Sequence, residues 1–159
     1  MKPKYRHVYD FEVKDLLLKI VRDCALQDFR PSAIVAPNRG GLPLGVMLSH
    51  YFECPLFPIQ VSLRDAPIVN SIDVQRGLRE AWNCGPVLFI DDINDTGNTM
   101  IKVKELASSV PLAGDIRYAV LFEKPASQDA ADFVGSYIDE DQQDAWVVFP
   151  WEDWWARKS

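Results

Sequence analysis

The segment VLFIDDINDTGNTM, residues 87–100, decides how this chain folds. Four apolar residues, Val87 to Ile90, run without interruption into Asp91 and Asp92, and two residues later into Asp95-Thr96-Gly97-Asn98-Thr99. An apolar run of this kind reads as a strand buried on both faces, the habit of a parallel sheet covered by helices. Behind it Ile101, Val103 and Leu106 predict a helix over 99–109. A buried strand that ends in carboxylates and turns through glycine into a helix is one βα unit of an open α/β sheet, where ligands sit beyond the carboxyl ends of the strands.

The same alternation extends outward. Val13, Leu17, Ile20, Val21 and Cys24 recur at helical spacing and predict a helix over about 11–27, with Asp10 as its N-cap. SAIVAP, 32–37, reads as a buried strand stopping at NRGG, and GLPLGVMLSHYF as a helix with Pro43 in its first turn. PLFPIQV, 55–61, is a further strand, moved toward an edge by Pro58. IRYAVLF, 116–122, and AWVVF, 145–149, are the last two strands expected, and YIDEDQQD, 137–144, a solvated turn. From Ser62 to Gly85 the period is lost, and the segment, which carries Arg64, Arg76 and Arg79, is expected to be a long mobile loop with one helical turn. The expected fold class is α/β, with a mostly parallel twisted sheet, helices on both faces, and a single domain over residues 1–159.

Bulk properties narrow the partners. The chain has 159 residues, 48% of them hydrophobic and 25% charged, which excludes disorder and predicts a packed core. A net charge of −6 without a basic run argues against duplex nucleic acid or an anionic membrane as the main partner. The N-terminus carries charges where a signal peptide needs apolar residues, so the expected location is the cytoplasm. Cys24, Cys54 and Cys84 lack any paired spacing and are expected to be buried small hydrophobes in a reducing compartment.

Three crowded carboxylates repel one another and need a reason. Gly97 permits a tight turn, Thr96 and Thr99 can donate hydroxyl hydrogen bonds, and the helix behind offers unpaired N–H groups, so DTGNT can hold a phosphate without a lysine. Asp91 and Asp92 are suited to sugar hydroxyls, directly or through a divalent metal with retained waters. A lone DTG is most simply a capped turn. The whole arrangement, apolar run, paired aspartates and DTGNT, points to a phosphorylated ribose.

With these residues in place the sequence resembles the type I phosphoribosyltransferase family, most closely its xanthine-guanine and hypoxanthine-guanine members. NRGG resembles the family's pyrophosphate loop, and FEKPA followed by WVVFPWE its base-recognition end, so the resemblance spans about residues 32–152 in the family's order. It implies a phosphoribosyltransferase fold with a mobile loop and a small base-binding hood. Asp91 and Asp92 would grip the ribose hydroxyls and Mg²⁺, with Glu152 as a further acidic residue at the metal. Asp95 would act on the purine's imidazole nitrogen as general base or positioning partner. Asp95, Thr96, Gly97, Asn98 and Thr99 would wrap the 5′-phosphate. Asn38, Arg39 and Gly40 would meet the pyrophosphate, in a loop where the family often has a non-proline cis peptide. Lys124 would donate to the exocyclic oxygen of a 6-oxopurine, Trp146 would stack on the base, and Val147 would read the purine edge through its backbone.

The implied reaction joins a purine base to phosphoribosyl pyrophosphate, giving a nucleoside 5′-monophosphate and pyrophosphate, in a homodimer or homotetramer. Two departures stand beside the site: Asn94 occupies a position usually small or apolar in the family, and Asn38 one usually serine or aliphatic. The 62–85 segment is the expected lid, with Arg64, Arg76 or Arg79 approaching the pyrophosphate on closure. Two rivals remain open: a non-catalytic sensor of phosphoribosyl pyrophosphate or a nucleotide, and a phosphoribosyltransferase for a non-purine acceptor. WEDWWARKS, with Trp154 and Trp155, would pack on a neighbouring subunit or on its own sheet.

Overall fold

The computed structural model describes residues 4–61, 70–110, 114–142 and 144–156. Five parallel strands form the main sheet: β2 Ala33–Pro37, β3 Leu56–Ile59, β4 Val87–Asn94, β5 Ile116–Glu123 and β6 Phe133–Tyr137, in the order β3-β2-β4-β5-β6. Helices α1 Asp10–Leu26 and α2 Leu42–Phe52 cover one face, and α3 Ser71–Trp82 and α4 Asn98–Ser108 cover the other. One core joins Leu17, Ile20, Leu44 and Leu48 to Ile34, Leu88, Ile90 and Leu121. The other joins Val74, Leu78, Trp82 and Val103 to Val35, Phe89 and Val120. Each fully buried Leu, Ile or Phe contributes about 1.5–3 kcal/mol over its exposed state. The alternate residues of β4 therefore serve both cores, which is why the sequence gives that strand no polar face.

Chain order departs from spatial order at β2. The chain leaves it for β3 on one side and returns through α3 to β4 on the other, so the ends of β2 and β4 flank a topological switch point where a crevice opens.

The structure corrects several expectations. The 62–85 segment is not one loop, for Ser71–Trp82 is a three-turn helix, α3. Its stripe of Val74, Leu78, Ala81 and Trp82 is buried, and Asn70 caps its start by accepting from Asp73 N–H. Sparse apolar residues among charges, with Gly77 in the middle, hid that stripe. Arg76 lies on the exposed side of α3, 3.4 Å from Asp73, and Arg79 is exposed on the same helix. Residues 62–69, with Arg64, lie outside the described residues. The N-cap of α1 is Tyr9, whose N–H donates to Glu12 Oε2 at 3.0 Å, and Asp10 is the first helical residue. Cys24 is buried, but Cys54 is half-buried and Cys84 exposed.

Two strands escaped the sequence pattern. β1 Tyr5–His7 has no apolar period, and β6 is interrupted by Gly135 and Ser136. The segment expected as the last strand, β7 Trp146–Val148, leaves the main sheet and pairs in parallel with β1, Tyr5 opposite Trp146. This two-stranded unit stands over the carboxyl ends of the main strands. Among the described residues no helix is long and apolar enough to cross a membrane.

Candidate functional site

A cavity of about 570 Å³ opens at the switch point. Its floor is the end of β4, where Asp91 Oδ1 accepts from Asp92 N–H at 2.9 Å and Asp92 Oδ1 from Ile93 N–H at 2.7 Å. Both carboxylates are half-buried cavity walls. The loop after β2 supplies the next wall. Asn38 N–H donates to Ile59 O at 2.8 Å, Asn38 Nδ2 to Gln60 Oε1 at 2.9 Å, the Asn38–Arg39 peptide bond is cis, and Gly41 N–H closes the turn on Pro37 O at 3.2 Å. Gly40 is pressed against Asp92 so closely that a Cβ there would overlap the Asp92 carboxylate.

Asp95 to Thr99 turn into α4. Gly97 takes φ +89°, the left-handed conformation glycine adopts without penalty, and Asn98 N–H donates to Thr96 Oγ1 at 3.3 Å. Asp95, Thr96, Gly97, Asn98 and Thr99 all line the cavity. The first N–H groups of a helix and its positive dipole end suit an anion such as a phosphate.

The opposite wall is tryptophan. Trp146 of β7, Trp151 and Trp155 face the cavity, Trp151 lying stacked on Phe149 at 5.0 Å with the rings 8° from parallel. Trp146 is 51% exposed and Trp155 69%, surfaces a planar ring can cover. Glu152 also lines the cavity, and its Oε2 accepts from Phe149 N–H at 2.8 Å, fixing the bend after β7.

Thus of the residues singled out in the sequence, Asn38, Arg39, Gly40, Asp91, Asp92, Asp95 to Thr99, Trp146 and Glu152 meet at one cavity. Two stand back from it. Lys124 reaches it through Asp95, its Nζ 3.0 Å from Asp95 Oδ1, and Val147 packs its side chain on the first core. Trp151 and Trp155 were missed as site residues. Trp151 lies inside the WVVFPWE segment that carries the base-recognition resemblance, whereas Trp155 had as signal only the tryptophan-rich WEDWWARKS run, expected to pack on a subunit or on the sheet; Trp154 is 78% exposed and Trp155 lines the cavity.

Among the described residues no three His, Cys, Asp or Glu side chains gather into a metal cage. Glu152 lines the same cavity without joining Asp91 and Asp92 in such a group. The adjacent carboxylates fit a hard cation that keeps waters and ligand oxygens, as magnesium does.

Two polar side chains at this end of the sheet are buried, Asn94 in the cavity wall at 4% exposure and Glu123, outside the lining, at 5%. Burial pushes the Glu123 carboxyl above the ordinary carboxylate range. The Ala131 N–H, the Asn94 amide and the Lys104 ammonium pull it back, and Asp129 adds to the rise. A carboxyl whose folded pKa exceeds its unfolded one stabilises most below the unfolded value, and that contribution fades as pH rises through the folded value. Gln at 123 has no charge to acquire. The melting temperature of Glu123→Gln relative to the parent should therefore rise as pH climbs above the ordinary glutamate value of about 4.3, and a difference independent of pH would show that Glu123 does not titrate in the folded protein.

Comparison with known proteins agrees with this geometry. The family model described as phosphoribosyl transferase domain matches residues 5–154. A xanthine-guanine phosphoribosyltransferase from Desulfotalea psychrophila is 31% identical over 127 residues, covering 75% of this chain and 69% of that protein. Among solved structures, the Helicobacter pylori xanthine-guanine-hypoxanthine phosphoribosyltransferase superposes with a TM-score of 0.73 at 21% identity, covering 94% of each chain. The purine phosphoribosyltransferase from Pyrococcus horikoshii does so with a TM-score of 0.68 at 24% identity, covering 98% of this chain and 99% of that one. A family match over nearly the whole sequence, on a parallel sheet with its cavity at the switch point, places the chain in the phosphoribosyl transferase domain family.

Proposed function

We propose that this protein transfers the phosphoribosyl group of phosphoribosyl pyrophosphate to a ring nitrogen of a 6-oxopurine. The observation that carries the reading is the meeting, in one cavity, of the Asp91–Asp92 pair, the Asp95–Thr99 turn at a helix N-terminus, the Asn38–Gly40 loop and the tryptophan wall. The turn holds the 5′-phosphate through helix N–H groups. Asp91 and Asp92 hold the ribose hydroxyls and carry Mg²⁺, which when bound neutralises the pyrophosphate. Trp146 and Trp151 confine the planar base.

In the reaction the bond from the anomeric carbon to the pyrophosphate oxygen breaks as the bond from the purine nitrogen forms. The nitrogen's proton passes to Asp95, and pyrophosphate leaves past Arg39 and Gly40. Lys124, paired with Asp95 in the free protein, turns from it to donate to the base's exocyclic oxygen. No covalent enzyme intermediate is required, so rate comes from alignment and from carboxylates facing a sugar that becomes cationic.

The test is a panel of guanine, xanthine, hypoxanthine and adenine with Mg²⁺ and phosphoribosyl pyrophosphate. Pyrophosphate release with one or more 6-oxopurines and not with adenine is expected. Release with no purine overturns the reading: turnover with a pyrimidine would then select a non-purine acceptor, and binding of the donor without consumption a sensor.

A further inference from the structure

We propose that Asn94 and Glu123 are positioning residues, a buried donor and acceptor that fasten the Asp129–Ala131 segment to the ends of β4 and β5, and so set Lys124 and the Asp95–Thr99 turn as one unit. The proposal rests on the phosphoribosyltransferase reading of the cavity and assigns roles to Asn94, buried in its wall, and to Glu123, which stands outside the lining.

Asn94 and Glu123 are register partners on adjacent strands, each one residue before a member of the Asp95–Lys124 ion pair. Burying an amide and a carboxyl without partners would cost about 1–3 kcal/mol each, so where their hydrogen bonds go is informative. Both go to the same short stretch. Asn94 Nδ2 donates to Asp129 O at 2.6 Å, and Ala131 N–H donates to Glu123 Oε2 at 3.2 Å. Their mutual approach, 3.5 Å from Asn94 Nδ2 to Glu123 Oε1, is at the limit of a hydrogen bond and secondary to these two.

The fastened stretch lies against the phosphate-holding turn. Gln128 N–H donates to Thr96 O at 3.1 Å, and a Cβ on Gly97 would stand 3.0 Å from Asp129 N. Lys104 of α4 closes the circuit, its Nζ 2.8 Å from Asp129 Oδ2, while Lys124 N–H donates to Asn94 O at 3.0 Å. The turn, the middle of α4 and the segment bearing Lys124 are thus tied together through Gln128, Asp129 and Asn94. An apolar residue at 94 would fill space but could not donate to the Asp129 carbonyl. A site that must place a sugar phosphate and a base to within about 1 Å gains from having the two grips joined.

The experiment compares Asn94→Leu, the same in branching but bulkier and without a donor, with the smaller Asn94→Ser, whose hydroxyl is too short to span to Asp129 O. Amide exchange of Gln128 and Ala131, measured on the ligand-free protein, should quicken about tenfold or more in both variants while the β4 and β5 amides keep their protection. Ribose 5-phosphate affinity should fall about three- to tenfold, and kcat/KM for the purine about tenfold. Glu123→Gln, which keeps an oxygen for the Ala131 N–H, should lose less than Glu123→Leu, a contrast that general destabilisation would not produce. Unchanged exchange at both amides in both Asn94 variants overturns the proposal, as does faster exchange without change in ribose 5-phosphate affinity or kcat/KM. Failure of the parent protein to bind ribose 5-phosphate or to turn over would instead sink the functional reading, and amide exchange alone would then decide whether the fastening exists.

Discussion

Replacing Asp95 by Asn lowers kcat by about a hundredfold to ten-thousandfold, the range a general base commands, and leaves ribose 5-phosphate affinity within about twofold. The two measurements separate because the residue meets two parts of the site through different atoms. The backbone of the turn, with Gly97 in its left-handed conformation and α4 starting at Asn98, is available to a phosphate whatever the 95 side chain is. The side chain faces Lys124 at 3.0 Å. An asparagine can still turn its oxygen toward that ammonium, so the local geometry survives as a neutral hydrogen bond, but it cannot take a proton from the purine. Steady-state kinetics with the best base of the panel and calorimetry with ribose 5-phosphate give the two numbers. Equal losses in both would mean that Asp95 shapes the turn and that proton transfer falls elsewhere.

How much of this site the sequence disclosed depended on whether a residue's role was local. β4 and the turn after it were legible because four adjacent apolar residues, a carboxylate pair and DTG each constrain the backbone within a few positions. The strand read from the apolar run Val87 to Ile90 runs on to Asn94, and Asp91 and Asp92 lie on it. The Asn38–Gly40 loop was legible for the same reason, as a glycine pair following a buried strand. Residues whose place is set by distant pairing were not. β1 is three residues of mixed polarity whose partner, β7, is 141 positions away at Tyr5 and Trp146. Helix α3 carries a narrow apolar stripe in a charged sequence, and only the sheet beneath it makes that stripe decisive. Asn94 was visible as an odd residue, but its partner is a backbone carbonyl 35 residues on, which no pattern of side chains encodes. Trp151 and Trp155 face the cavity because the chain bends after Phe149, where Glu152 caps the bend.

Gly40→Ala should reduce kcat/KM for phosphoribosyl pyrophosphate by about a hundredfold, the cost of displacing a site group by about 1 Å. The reason is room. The added Cβ would overlap the Asp92 carboxylate and lie 2.6 Å from its Cγ, so either Asp92 swings out of the cavity or the Asn38–Gly41 loop backs away from it. Neither arrangement keeps the pyrophosphate grip and the ribose grip in register. Overpacking of this kind also costs about 1–3 kcal/mol of stability, readable as a lower melting temperature. A second substitution separates the two effects. Asp92→Ser in the Gly40→Ala background restores the space without the carboxylate, so melting temperature should recover while kcat/KM stays low. Recovery of both would show that the loop needs room there and that catalysis does not need Asp92. Gly40→Ala alone retaining full kcat/KM would mean that the close approach of these two segments has no part in holding the donor.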